Sequence, residues 1–179
     1  MNTWILRAAL LATSLGAHAA PYQSVVPAKS SIGFAYKQMG VAMDGRFKQF
    51  NAQVQLDPQK PQLAKGSIDI DLNSVDTGSS EADQEVRSKA WFNVAAHPKA
   101  RFVLQRLRPL GGNQFEAAGT LTLKGQTREV LAPTTLSPQG LLSGSVVIRR
   151  ADFGIGEGMW AKFDVVANEI TVQFKLSLQ

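Results

Sequence analysis

Ile170-Thr171-Val172-Gln173-Phe174-Lys175-Leu176-Ser177-Leu178 alternates apolar and polar residues without an error. Successive side chains of a strand point to opposite faces, so this stretch is a strand with one greasy side and one wet side. The same period recurs upstream in Ser31-Ile32-Gly33-Phe34-Ala35-Tyr36, in Phe50 to Leu56, in Ser67 to Leu72 and in Gly119 to Leu123. Turn signals separate the runs: Asp57-Pro58-Gln59-Lys60-Pro61, Gly111-Gly112-Asn113, Lys124-Gly125-Gln126 and Pro138-Gln139-Gly140. The pattern predicts an all-β, antiparallel chain of eight or nine strands, at about 22–26, 29–38, 44–56, 63–73, 100–108, 114–123, 126–136, 141–150 and 165–178. Such strands form a sandwich or a closed barrel. Closure removes the two exposed edges, which favours the barrel. About eight strands enclose an interior that side chains can fill or that can hold one small ligand, and alternation does not distinguish the two.

Ser79 to Ala90 breaks the alternation. Ser80 with Asp83 three residues on resembles a capping box, with acids early and Arg87 and Lys89 late, so a short helix is expected to cap one end. An irregular aromatic stretch, Trp91-Phe92-Asn93, then leads to Pro98.

The ends and the composition bound the rest. Met1 to Arg7 is a short positive start, Ala8 to Leu15 is apolar, and Ala17-His18-Ala19 is small at the positions a signal peptidase reads. Residues 1–19 are therefore expected to be a secretory signal cleaved after Ala19, with residues 20–179 as one domain in the periplasm. The chain has no cysteine, so an exported domain must rely on its core alone. Nineteen Lys and Arg against fourteen Asp and Glu give a net charge of +5. The basic residues are scattered and do not interleave with aromatics in a stripe, which argues against nucleic acid.

Chemistry finds little support. His97, before Pro98, is the sole histidine beyond the signal, which excludes sites of two or three histidines, and no Gly-x-Ser-x-Gly elbow presents a serine. Asp69 and Asp71 share the polar side of a strand whose partners Ile68, Ile70 and Leu72 face the core, so they read as solvated. Gly154-Ile155-Gly156-Glu157-Gly158 fits neither phosphate-loop spacing and reads as a flexible loop. No enzyme activity, metal or cofactor is expected.

Several motifs taken together carry a resemblance. They are Ser31-Ile32-Gly33-Phe34 with Gly45-Arg46-Phe47; Asp76-Thr77-Gly78 with Asp83 and Ser88 to Asn93; His97-Pro98-Lys99-Ala100-Arg101-Phe102; Gly119 to Gly125 with Thr127-Arg128; and Arg150 to Ile155. From about Ser30 to Leu178 the chain resembles the YceI family of exported, lipocalin-like proteins. It departs from that family where many members carry a histidine, here Phe34-Ala35-Tyr36-Lys37, and Arg-Asp-x-His-Leu, here Ala82 to Val86.

The resemblance implies a lipocalin-like barrel holding a long apolar amphiphile, a polyisoprenoid or an isoprenoid quinone. Its lumen would be lined by Phe34, Tyr36, Phe50, Phe102, Leu121, Ile148 and Phe174. Asp83, Arg150, Asp152 and Trp160 are then candidates for the mouth and head group, or for structural ion pairs. Trp91 and Gly156-Glu157-Gly158-Met159-Trp160 resemble a subgroup encoded beside a diheme membrane cytochrome b. That adds a membrane cytochrome b as a partner and leaves a homodimer open. The alternative is a docking partner of a membrane redox protein, with its barrel filled solid and Trp160 in the contact.

Overall fold

In a computed structural model, residues 20–179 are described. The signal assignment to residues 1–19 lies outside the described residues.

Among the described residues ten strands and one α-helix follow in order: β1 (Ser31–Gln38), β2 (Val41–Phe47), β3 (Phe50–Gln55), β4 (Lys65–Asp71), β5 (Val75–Asp76), α1 (Ser80–Arg87), β6 (Lys99–Gly111), β7 (Gln114–Leu123), β8 (Gln126–Leu136), β9 (Leu141–Arg149) and β10 (Glu169–Ser177). They form a single antiparallel sheet in the order β3-β4-β6-β7-β8-β9-β10-β1-β2-β5, which curls into an incomplete barrel. The lipocalin-like all-β fold is thus present, with ten strands in place of eight or nine.

The sheet does not close by a continuous ladder, because β2 and β3 do not pair. Two short stitches bring its ends together. At one end of the barrel Tyr22 exchanges backbone hydrogen bonds with Leu56, while Ser24 exchanges them with Gln179 and Val26 donates to Ser177. At the other, Arg46 and Phe47 of β2 pair with Asp76 and Val75 of β5.

Four expected boundaries move. The expected strand at 22–26 is reduced to isolated bridges at Tyr22 and Val25. The expected strand 44–56 is two strands, because the backbone at Lys48 and Gln49 turns away to bond Ser74 and Asp71. The strand expected from 165 begins at Glu169, since the Val166 and Ala167 carbonyls are taken by the Arg150 guanidinium. The helix is capped by Ser79, not Ser80: the Ser79 hydroxyl accepts the Ala82 N–H.

Turn chemistry explains the long hairpins. Lys124 and Gly125 both adopt positive φ, 47° and 74°, as the two central residues of a tight β7–β8 turn. Pro133, which has no N–H to donate, lies at the point where the β8–β9 ladder stops, and only Thr134, Thr135 and Leu136 of β8 pair with β9.

The inward residues form two clusters. One, around Leu56, Phe115, Leu136, Leu142 and Leu176, floors the end where the N-terminal segment is stitched in. The other, around Leu72, Trp91, Ile148, Phe153 and Val166, underlies the helix end. Cavity space lies between them.

The β2–β5 stitch carries charge outside. Asp76 accepts Arg46 at 3.0 Å and Lys48 at 3.1 Å. Hydrogen bonds from Lys48, then Arg46, then the Gly78 N–H hold its carboxyl below the usual carboxylate range. A depressed folded-state pKa stabilises above the unfolded value and is lost as pH falls through the folded one. Asp76→Asn is therefore expected to lower the melting temperature slightly at neutral pH. The difference from the parent should vanish on acidification below the carboxylate range, as followed by thermal melts across pH. Exposed pairs contribute little, so a large neutral-pH effect would contradict this reading.

Candidate functional site

The barrel encloses a cavity of about 470 Å³. That lies within the ~300–1,000 Å³ of small-ligand sites. Its wall is almost wholly aliphatic and aromatic, from Ile32, Val54, Leu104, Val130, Val172 and their neighbours. A filled barrel, the premise of the docking-partner alternative, is not what these side chains build.

The reason the lumen stays hollow is local. Phe34, Phe102 and Phe174 each lie over a glycine of the adjoining strand, Gly45, Gly119 and Gly144 respectively. A Cβ placed on Gly45 would come within 2.8 Å of Phe34 Cε2, and one on Gly119 within 2.6 Å of Phe102 Cζ. One on Gly144 would meet Phe174 Cζ at 2.6 Å. Each ring can therefore lie flat on the wall instead of standing into the space. Phe34 also packs at a tilt against Phe47, centroids 5.3 Å apart, and Phe47 continues to Phe92. At Gly45 the three nearest atoms that a methyl would meet all belong to that ring. Gly45→Ala is thus expected to tip Phe34 inward, at an overpacking cost on the order of 1–3 kcal/mol, and to weaken uptake of a fluorescent fatty probe. Unchanged stability and uptake would show that the ring is free to move elsewhere.

Of the expected lumen residues, Phe34, Tyr36, Phe102, Leu121, Ile148 and Phe174 line the cavity. Phe50 does not. It begins edge strand β3 opposite Ile70 and packs half-buried against the floor cluster. Burial, with Asp44 and Asp83 adding to it, raises the Tyr36 pKa, so the phenol stays neutral.

The four polar candidates separate. Asp83 accepts the Thr77 N–H at 2.8 Å and the Thr77 hydroxyl at 2.7 Å, anchoring α1 to the preceding loop. Asp152 pairs with Arg149 on the surface at 3.0 Å. Neither lines the cavity, so both leave the mouth assignment. Trp160 does line it, but its indole N–H donates to Glu85 Oε1 at 2.8 Å. It is half-buried and ties the 158–160 turn to α1, where the docking alternative needed it free.

Arg150 is the hub. It is 1% exposed and pairs with no acid among the described residues. Nε donates to Ala167 O at 3.2 Å. Nη1 donates to Ile155 O and Gly156 O, and Nη2 to Trp160 O, Lys162 O and Val166 O, at 2.7 to 3.2 Å. All five N–H groups of the guanidinium are thereby used. Its plane also lies near the Trp91 and Phe163 rings, 5.4 and 5.1 Å from their centroids. Burial lowers its pKa, but six carbonyl dipoles replace water around the charge.

The 154–158 segment, expected as a flexible loop, is wrapped around this group. Gly156 has φ of +77°, and a Cβ there would strike Arg150 Nη1. The Gly156 and Glu157 N–H groups both donate to Ala90 O, and Lys124 Nζ reaches Gly154 O and Glu157.

The residues weighed for chemistry lie apart from the cavity. Asp69 forms an ion pair with Arg101 at 2.8 Å, and Asp71 caps the turn at Asn73. His97 sits beneath the Gly125 turn. Among the described residues no group of three or more His, Cys, Asp or Glu could hold a metal ion.

Comparison with known proteins agrees with this architecture. The profile of the YceI-like domain matches residues 23–178. A UPF0312 protein of Photorhabdus laumondii is 33% identical over 134 residues, covering 74% of this chain and 69% of that protein. Protein YceI of Salmonella arizonae is 33% identical over 135 residues, with 74% and 70% covered. The crystal structure of Burkholderia cenocepacia BcnA superposes with a TM-score of 0.83 at 36% identity, over 86% of this chain and 98% of that one. A polyisoprenoid binding domain from Saccharophagus degradans shares the fold, with a TM-score of 0.65 at 18% identity, over 88% and 97% of the two chains.

Proposed function

This chain belongs to the YceI-like domain family, and we infer from that premise and from its lumen that it holds a long apolar amphiphile. The ligand is a polyisoprenoid or isoprenoid quinone, taken tail-first into the barrel of an exported, periplasmic protein. The observation that carries this reading is the 470 Å³ cavity with its hydrocarbon wall, kept open by phenylalanines lying on glycines. The Saccharophagus degradans domain of the same fold is described as polyisoprenoid binding, which supports the same class of ligand. The signal pattern of residues 1–19 supports export. The role is storage or transport; among the described residues the site offers no set of groups arranged for a reaction.

Energetics favour length. Burying a methylene gives about 0.8 kcal/mol, and association costs on the order of 4–15 kcal/mol. About ten buried carbons barely break even, and thirty or more bind well. Titrating the lipid-stripped protein with single-chain alcohols of increasing length should tighten binding about fourfold per methylene, up to a plateau when the lumen is full. Affinity independent of length would remove the reading.

A further inference from the structure

Resting on the lipid-holding reading above, we propose that the mouth of this barrel accepts an uncharged, hydrogen-bonding head group, an alcohol or a quinone-type carbonyl, and discriminates against a phosphate on the same tail. Among the described residues three charged side chains line the cavity: Glu81, Glu85 and Arg150. The cation has nothing left to give. Its five N–H groups already serve six backbone carbonyls, so binding an anion there means stripping the hub that holds residues 155–167 together.

The two acids stand four residues apart on one face of α1. Glu81 is exposed and also lines the cavity, so the lumen reaches solvent beside it. Its carboxyl is held below the usual range by its own backbone N–H and by the Ser79 and Ser80 hydroxyls, and it is charged at neutral pH. Glu85 accepts the Trp160 indole N–H at Oε1 and also lines the cavity. Of the cations nearby, Arg46 and Lys48 are drawn to Asp76 and Arg87 Nε donates to Asp83 O, while Lys89 is exposed and does not line the cavity.

The other polar groups suit a neutral head. Gln38 and Thr77 line the cavity and can donate or accept. A phosphate would instead meet two carboxylates and, among the described residues, no free cation in the lining. Like charges brought together at a binding surface are strongly disfavoured.

The test is a displacement titration of lipid-stripped protein with a polyprenol and with the polyprenyl monophosphate of the same length. The expected result is at least tenfold tighter binding of the alcohol, with the ratio falling toward one in a Glu81→Gln/Glu85→Gln variant and in raised salt. The amide introduced by Glu85→Gln keeps an oxygen to accept the Trp160 N–H, and Glu81→Gln alone, at an exposed position, should narrow the ratio part of the way. Equal or tighter binding of the phosphate by the parent protein overturns the proposal, as does a ratio indifferent to both substitutions. If neither lipid binds, the lipid-holding reading itself fails, a result distinct from loss of selectivity.

Discussion

Arg150→Met is expected to cost about 3 kcal/mol or more of folding stability, because six backbone carbonyls lose the guanidinium they share. Methionine can fill the volume between Trp91 and Phe163 but donates nothing. Six carbonyls that now share the guanidinium would be left in a site Arg150 itself occupies at 1% exposure. A single unsatisfied buried group costs about 1–3 kcal/mol, and water entering the loosened loop would offset only some of that. Small domains have only ~5–15 kcal/mol in total, so the urea midpoint should fall steeply. Arg150→Lys should recover little, because one ammonium cannot span carbonyls from Ile155 to Ala167. Arg87→Met on the helix supplies the contrast: its Nε makes one bond to Asp83 O, and its loss should be within about 1 kcal/mol. Equal midpoints for Arg150→Met and the parent would show that the 150–168 segment is held by something else.

Val146→Trp should abolish most ligand binding while leaving the fold intact. Val146 lines the cavity and packs against both the floor and the helix-end clusters, so it stands midway along the lumen, opposite Val172 of β10. An indole there takes the space of about four methylenes. At ~0.8 kcal/mol each, that displaces about 3 kcal/mol of ligand burial, roughly a 200-fold loss in affinity. The outward neighbour Val147, 58% exposed, is the control. Val147→Trp should leave affinity as it was. A parent-like affinity for Val146→Trp would place the ligand outside the lumen.

Much of this arrangement is legible in the residues, and the remainder has definable causes. The period-two runs place β1, β4, β7 and β10, whose alternate residues, such as Ile32, Phe34 and Tyr36 or Ile170, Val172 and Phe174, line the lumen. The split between β2 and β3 is also written there, as a slip of parity. Phe47 is odd-numbered while Phe50, Ala52, Val54 and Leu56 are even-numbered, and a strand cannot keep both on one face. Phe50 carries the right residue type and parity for the lumen; its place at the start of an edge strand, against the floor cluster, is a matter of tertiary position.

Arg150 is harder to read. A buried cation is ordinarily sought beside an acid, and Asp152 lies two residues away, yet the acceptors are backbone carbonyls that no side-chain pattern announces. The Phe–Gly contacts depend on cross-strand register, since Phe34 meets Gly45 and Phe174 meets Gly144 only once β1–β2 and β9–β10 are aligned. The hollow lumen is thus a property of pairing more than of composition.

A native mass spectrum of freshly purified protein, paired with the mass of whatever an organic solvent extracts from it, bears most directly on the central claim. The expected spectrum shows one lipid-sized adduct per chain, lost under denaturing conditions and recovered in the extract as a long isoprenoid compound. A bare polypeptide mass, with no adduct regained when the protein is incubated with polyprenol or quinone, would contradict it.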